Sequence, residues 1–270
     1  MEDEIRGLKV FHPKPVPTAV LAFDARGHGP DPVVVLIHGW PLNRSIWSEV
    51  TPRIAAAGFR VLAPDLPGFG DSPPVDPSGT TVESYSDHVS GFLAAFSRRR
   101  FAVAGHSFGG YVALALADRH PDLVSGLGLV ASRTTADNEM ARQGRHETIT
   151  KVRAGGPKAL LPGLPEKLVG PEADPRWRRE AARLIEGSRP DGVIAGLSAM
   201  VARPDRTRTF ESFVGPRLVI HGTVDALIPL YEAAEAPIRE ILSGVGHMPM
   251  WESPEATADA VIRFARSVRI

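Results

Sequence analysis

Short, continuous apolar runs separated by longer helical patterns constrain this chain more than any other feature. Val33-Val34-Val35-Leu36-Ile37 is aliphatic throughout and rich in β-branched residues, as a parallel strand buried on both faces must be. Similar runs occupy 60–63, 101–104, 126–131 and 217–220, with a weaker one at 239–242. Helical patterns fall at 46–57, 82–96 and 109–119, and a last helix is expected over 254–268, where Pro254 suits the first turn. This alternation predicts a parallel sheet with helices wound on both faces. At 270 residues, with 43% apolar and 23% charged residues, the chain fits one large α/β domain and neither a fibre nor a disordered polymer. No internal repeat or low-complexity tract interrupts it.

One segment breaks the rhythm. Residues 132–210 contain no buried-strand run, and three interruptions are expected there, at Gly155-Gly156-Pro157, Gly170-Pro171 and Trp177-Arg178-Arg179. The spacing of Ala181, Leu184 and Ile185, and of Val193, Ile194 and Leu197, predicts short amphipathic helices lying on an apolar surface. The chain therefore divides into a core of 1–131 and 211–270 and a helical cap, or lid, at 132–210. The cap holds 12 Arg and 3 Lys against 10 acidic residues, while the whole chain has 31 basic and 31 acidic residues and a formal charge of zero. The ordinary reading of that local excess is a solvated outer surface. The sharper one is a bias toward anionic substrates.

Zero net charge argues against nucleic-acid binding, which normally needs a basic excess to displace counterions. Absence of cysteine excludes disulfides, thiolate zinc sites, iron–sulfur clusters and a Cys nucleophile. Met1-Glu2-Asp3-Glu4 lacks the basic start of a signal peptide, and no aliphatic stretch approaches the roughly 20 residues of a membrane span. A soluble, cytoplasmic protein without membrane or nucleic-acid partners is expected. Asn43-Arg44-Ser45 matches a glycosylation pattern by chance.

The chemistry begins at Gly105-His106-Ser107-Phe108-Gly109, which follows the run at 101–104 and opens the next helix. Gly-x-Ser-x-Gly between a strand and a helix exposes the serine hydroxyl on a sharp, strained turn. Side chains at positions 105 or 109 would collide across that turn. The adjoining helix N-terminus favours developing negative charge beside Ser107.

A serine hydroxyl needs a base to take its proton, and the base needs a carboxylate to orient it. Gly244-Val245-Gly246-His247-Met248-Pro249 places His247 in a glycine-rich loop before the last helix, and Asp225 follows the run at 217–220. The order Ser107, Asp225, His247 is the one expected for such a sheet arrangement. Asp122 and Asp137, which flank the strand at 126–131, are the alternatives for the carboxylate. His38 and His106 abut the two key turns as structural residues, and His221 ends a strand. His12, His28, His88, His120 and His146 read as loop or surface residues.

Two preorganised N–H donors should receive the oxyanion. The backbone N–H of Phe108 is one. The other is expected from His38-Gly39-Trp40-Pro41, where Gly39 lets the backbone approach the substrate, Trp40 supplies the amide and Pro41 cannot donate. Residues 64–72, rich in Gly and Pro, lack the Lys-Ser/Thr of a phosphate loop and read as a structural turn. No spacing of His or carboxylates suits a metal, and no cofactor is predicted.

Together, His38-Gly39-Trp40-Pro41, Pro64-Asp65-Leu66-Pro67-Gly68-Phe69-Gly70-Asp71-Ser72, Gly105-His106-Ser107-Phe108-Gly109-Gly110, Gly222-Thr223-Val224-Asp225 and Gly246-His247 resemble the α/β-hydrolase superfamily over about residues 20–268. The resemblance implies an eight-stranded, mostly parallel sheet with Ser107 as nucleophile, Asp225 as acid and His247 as base. Haloalkane dehalogenases and epoxide hydrolases of this fold carry Asp where this chain has Ser107. The length and the stretch Ser132-Arg133-Thr134-Thr135-Ala136-Asp137 look like small esterases and 3-oxoadipate enol-lactonases. Trp40-Pro41 is similar to the cofactor-free haloperoxidases, although those usually have Met at the position of Phe108. Trp251 also occurs in hydrolases that cleave carbon–carbon bonds. The expected activity is hydrolysis of a small carboxylic ester or lactone through an acyl-enzyme. Perhydrolysis at the same site and a non-enzymatic ligand receptor are the alternatives. Oligomeric state leaves no mark in the sequence.

Overall fold

A computed structural model describes residues 20–29, 32–96 and 100–269; Met1–Glu4 and His12, read above, lie outside them. Seven strands form one sheet among these residues: β1 (Phe23–Arg26), β2 (Val33–Ile37), β3 (Val61–Pro64), β4 (Phe101–His106), β5 (Val124–Val130), β6 (Arg217–Gly222) and β7 (Ile238–Leu242). Their spatial order is β1-β3-β2-β4-β5-β6-β7. All neighbours run parallel except β1, which pairs antiparallel with β3 at the edge. The described residues hold seven strands, against the eight that the resemblance implies for the whole fold. β1 carries no sequence signal because Phe-Asp-Ala-Arg is short and all four residues are exposed.

Every residue of β2, β3 and β4 is buried, so both faces of the central sheet are covered. The covering helices are α1 (Thr51–Ala56), α2 (Val82–Ala94), α3 (Phe108–Arg119) and, at the far end of the chain, α10 (Pro254–Ser267). In α3 every residue from Phe108 to Ala117 is buried, which explains its nearly uniform apolar sequence. α2 packs on α3, and α1 on α10. The single helix expected at 46–57 is instead a 3-10 turn, Arg44–Trp47, followed by α1. Asn43 caps the turn by accepting from the Ser45 N–H, and Pro52 suits only the first turn of a new helix.

Between β5 and β6 come α4 (Glu139–Gly155), α5 (Leu164–Leu168), α6 (Pro175–Glu186), α7 (Pro190–Ala202) and α8 (Thr207–Glu211). The short α9 (Pro249–Glu252) precedes α10. Asn138 and Asp174 cap α4 and α6 with their side chains, each accepting a first-turn amide. Gly155-Gly156-Pro157 ends α4 and Gly170-Pro171 separates α5 from α6, as expected. Trp177-Arg178-Arg179 does not interrupt anything: it lies within α6, where Trp177 belongs to the buried stripe with Ala181, Leu184 and Ile185. The α4–α8 segment is tied to the sheet loops at several points. Trp40 Nε1 donates to the Val193 carbonyl at 2.9 Å, Trp177 stacks on Trp251 with ring centroids 5.2 Å apart, and Arg189 donates to the carbonyls of Gly68 and Ser72.

Candidate active site

The parallel register sets the carboxyl ends of β2, β4, β5 and β6 side by side, with Ile37 opposite Gly105, His106 opposite Val130 and Val130 opposite Ile220. Loops leaving this edge are where α/β sheets gather their functional side chains. Ser107 sits between β4 and α3 with φ 49° and ψ −112°, in the positive-φ region that side chains rarely adopt. Its amide donates to Val130 O at 2.9 Å, and its carbonyl accepts from Gly110 N at 2.9 Å and from the Ser132 hydroxyl at 2.8 Å. The glycines beside it are required by close approach. A Cβ at Gly105 would lie 2.1 Å from the Gly109 carbonyl oxygen, and one at Gly109 2.5 Å from the carbonyl oxygens of Ile37 and His38.

Asp225 follows β6, and His247 lies in the loop between β7 and α9. His247 Nδ1–H donates to Asp225 Oδ2 at 2.7 Å, so Nε2 is the bare nitrogen. The other carboxylate oxygen, Oδ1, accepts the amides of Leu227 and Ile228 at 2.8 and 2.9 Å. Burial pushes the Asp225 carboxyl up, but His247 and these amides more than offset it, holding it below the ordinary aspartate range. Both side chains are almost fully buried.

Three further histidines support the loops. His38 Nε2 accepts from the Leu66 amide at 2.9 Å and its Nδ1–H donates to the Gly39 carbonyl, so the ring is neutral and pins the Trp40 loop to residues 64–72. That second loop is itself closed by Asp65, which accepts from Arg44 and from the Asp71 amide, consistent with a structural turn. His106 Nε2–H donates to the His247 carbonyl at 2.8 Å; burial, then the neighbouring His247, push its pKa down to about 3. His221 Nε2–H donates to Ile228 O, and burial lowers its pKa too. Glu252, which nothing in the sequence marks, accepts the amides of Gly170, Gly246 and Met248 and so clamps the His247 loop to the α4–α8 segment.

Ser107 and His247 line one cavity of about 130 Å³ with Trp40, Leu227 and Ile228 from the sheet loops, Tyr111 from α3, and Arg133, Arg145, Leu164 and Met200 from residues 132–210. Larger clefts of about 430, 530 and 650 Å³ lie elsewhere and contain none of these three predicted residues. Neither the Trp40 nor the Phe108 amide has a hydrogen-bond acceptor among the described residues. The expected reason for Gly39 is corrected: a Cβ there would meet the His106 ring at 2.4 Å, so Gly39 makes room for a buried histidine rather than for substrate. Phe108 turns its ring into the core, edge-on to Tyr85 at 5.1 Å. Trp251 packs on Trp177 and does not line the cavity.

Neither alternative carboxylate meets His247. Asp122 lies in the turn before β5, at the opposite edge of the sheet, in a cleft with Arg100 and Val214. Asp137 is fully buried among the guanidiniums of Arg133, Arg145 and Arg203. No group of three or more His, Cys, Asp or Glu is gathered into a metal-binding arrangement among the described residues, and none of their helices is long and apolar enough to cross a membrane.

Comparison with known proteins matches residues 34–260 to the alpha/beta hydrolase family. A pimeloyl-[acyl-carrier protein] methyl ester esterase of Aromatoleum aromaticum is 33% identical over 251 residues, covering 84% of this chain and 95% of that protein. The dihydrolipoyllysine-residue acetyltransferase component of the acetoin cleaving system of Pseudomonas putida is 32% identical over 254 residues; the match covers 90% of this chain and 66% of that longer protein. Among solved structures, a thermophilic esterase from Thermogutta terrifontis, malate bound, superimposes with a TM-score of 0.86 at 31% identity, covering 93% of this chain and 94% of that one. By sequence match and by fold, this chain belongs to the alpha/beta hydrolase family.

Proposed function

We propose that this chain is a serine hydrolase that cleaves a small carboxylic ester or lactone through an acyl-enzyme. The observation that carries the reading is the His247–Asp225 hydrogen bond in the cavity wall that also holds Ser107 on its strained turn. Esterases of 31 and 33% identity over most of both chains support it.

In this reading His247 Nε2 takes the Ser107 proton as Oγ attacks the carbonyl carbon. Asp225, ionised and acceptor-only, holds the imidazole in the Nδ1–H tautomer and stabilises the imidazolium that forms. The free amides of Trp40 and Phe108 receive the oxyanion, Phe108 at the N-terminus of α3 where the helix dipole adds to the effect. His247 then returns its proton to the leaving alcohol, activates a water and releases the acid. Residues 132–210 act as a cap: they close the cavity with Leu164 and Met200, and its small volume, below the roughly 300–1,000 Å³ of drug-sized sites, selects short acyl groups. No metal or cofactor takes part.

Hydrolysis of p-nitrophenyl esters of graded acyl length, with Ser107→Ala in parallel, tests this reading. Turnover peaking at the shortest chains and falling at least about 10³-fold in the variant is expected. Equal rates for the two proteins would end the assignment of Ser107.

A further inference from the structure

Two of the cavity-lining side chains have no part in the hydrolytic cycle: Arg133, directly after Ser132, and Arg145 on α4. Both lean on Asp137. Arg133 donates to Asp137 Oδ1 through Nη2 at 2.6 Å and to Glu232 through Nη1, while Arg145 grips Asp137 through Nε and Nη2. A third guanidinium, Arg203, donates to the same carboxylate at 2.8 Å and lies over the Tyr111 ring, 3.9 Å from its centroid. Three permanent positive charges therefore donate to two carboxylates, Asp137 and Glu232, with Asp205 a further acid near Arg203.

Two of the three guanidinium side chains are accessible. The Arg133 and Arg145 side chains keep 14% and 21% of their surface, against 2% for Arg203. Arg145 Nη1 has no acceptor among the described residues. Partly desolvated guanidiniums with unfilled donors favour a bound anion, and their planar fork matches a carboxylate. Arg133 and Arg145 line the cavity that holds Ser107, whereas a basic cap usually carries its charge on the solvated outer surface.

Building on the ester-hydrolase reading, we infer that the substrate carries its own carboxylate, bound by Arg145 and Arg133 while Ser107 attacks an ester or lactone carbonyl a few bonds away. The small cavity sets that spacing: an anion at the arginines and a carbonyl at Ser107 must belong to one compact molecule, such as a half-ester of a short dicarboxylic acid.

The decisive comparison pairs monomethyl glutarate with methyl valerate, which are alike in size and differ in charge. With active protein, kcat/KM for the anionic ester should exceed that for the neutral one at least tenfold, mostly through KM, and the preference should shrink as salt is raised. Arg145→Gln should lower the anionic-to-neutral ratio at least tenfold. Arg145→Lys, which keeps a charge beside Asp137, should recover part of it. Equal kcat/KM values in the active protein, or a ratio untouched in a folded Arg145→Gln protein, would overturn the inference and leave the hydrolase reading intact. Calorimetric titration of the Ser107→Ala protein with the same two esters separates the two ideas. Tighter binding of monomethyl glutarate would uphold the carboxylate site even if no ester were turned over. Equal binding would remove it.

Discussion

Asp225 and Asp137 are the same residue type with the same complete burial of the side chain, and they are built for opposite ends. Asp225 at the sheet edge hydrogen-bonds the His247 imidazole and two loop amides, with the His221 ring of β6 3.6 Å away. Asp137, after β5, meets three guanidiniums that never lose their charge. For both carboxyls burial acts upward and the partners prevail, so each is held below the ordinary range. The difference lies in the partner. An imidazole can accept and return a proton within one turnover, and a carboxylate beside it steadies that change. Guanidiniums at this depth only fix geometry and field, so Asp137 locks the start of the 132–210 segment and presents Arg133 and Arg145 to the cavity. Position at the end of a strand and burial do not distinguish the two; the chemistry of the neighbours does.

The contrast can be broken in three ways. Asp225→Asn should leave the fold intact and lower turnover of a neutral ester by about 10⁴-fold, the usual cost of a wrongly held imidazole tautomer. A comparable loss in Asp137→Asn, with Asp225→Asn nearly unchanged, would reverse the assignment. Asp137→Ala should act mainly on stability, since it strands buried positive charge. Loss of a partner from such a cluster typically costs about 3–5 kcal/mol, read here as a lower urea midpoint at neutral pH.

A smaller effect concerns pH. His38, His106 and His221 are held neutral by burial, with His106 pushed down to about 3 from an ordinary 6.5. Unfolding releases these rings to bind protons at their ordinary pKa. The folded state therefore keeps its full stability above that value and loses it as pH falls toward the folded pKa. His106 alone should cost about 2 kcal/mol at about pH 5, and the two aspartates add their own loss only below their ordinary value of 3.8. Urea unfolding between pH 7.5 and 5 would measure this. A flat profile would mean that the rings titrate alike in both states.

Much of the site is legible in the linear sequence because its parts carry local signatures. Ser107 is marked by flanking glycines whose missing side chains prevent backbone collisions, His247 by a glycine-rich loop ahead of a Pro-started helix, and Asp225 by its place after an aliphatic run. The five interior strands announce themselves by short apolar runs and β7 only weakly; β1, an exposed edge strand, does not. Ser132, His106 and Glu252 hold the candidate site through bonds to backbone groups remote in sequence, and a lone Ser, His or Glu has no pattern that predicts such a bond. Even Gly39, correctly singled out, proves to need its small size for a histidine of another strand.

Periodicity and turn chemistry by themselves determined the alternating α/β architecture and the strand–turn–helix around Ser107. Those features follow from interactions between residues close in the chain, so they are written locally. Tertiary structure alone decided which aspartate meets His247, how residues 132–210 shape the cavity, and that Arg133 and Arg145 line the cavity that holds Ser107. Those outcomes depend on how distant surfaces fit and on where charges find partners, and many sequences with the same local pattern would settle them differently.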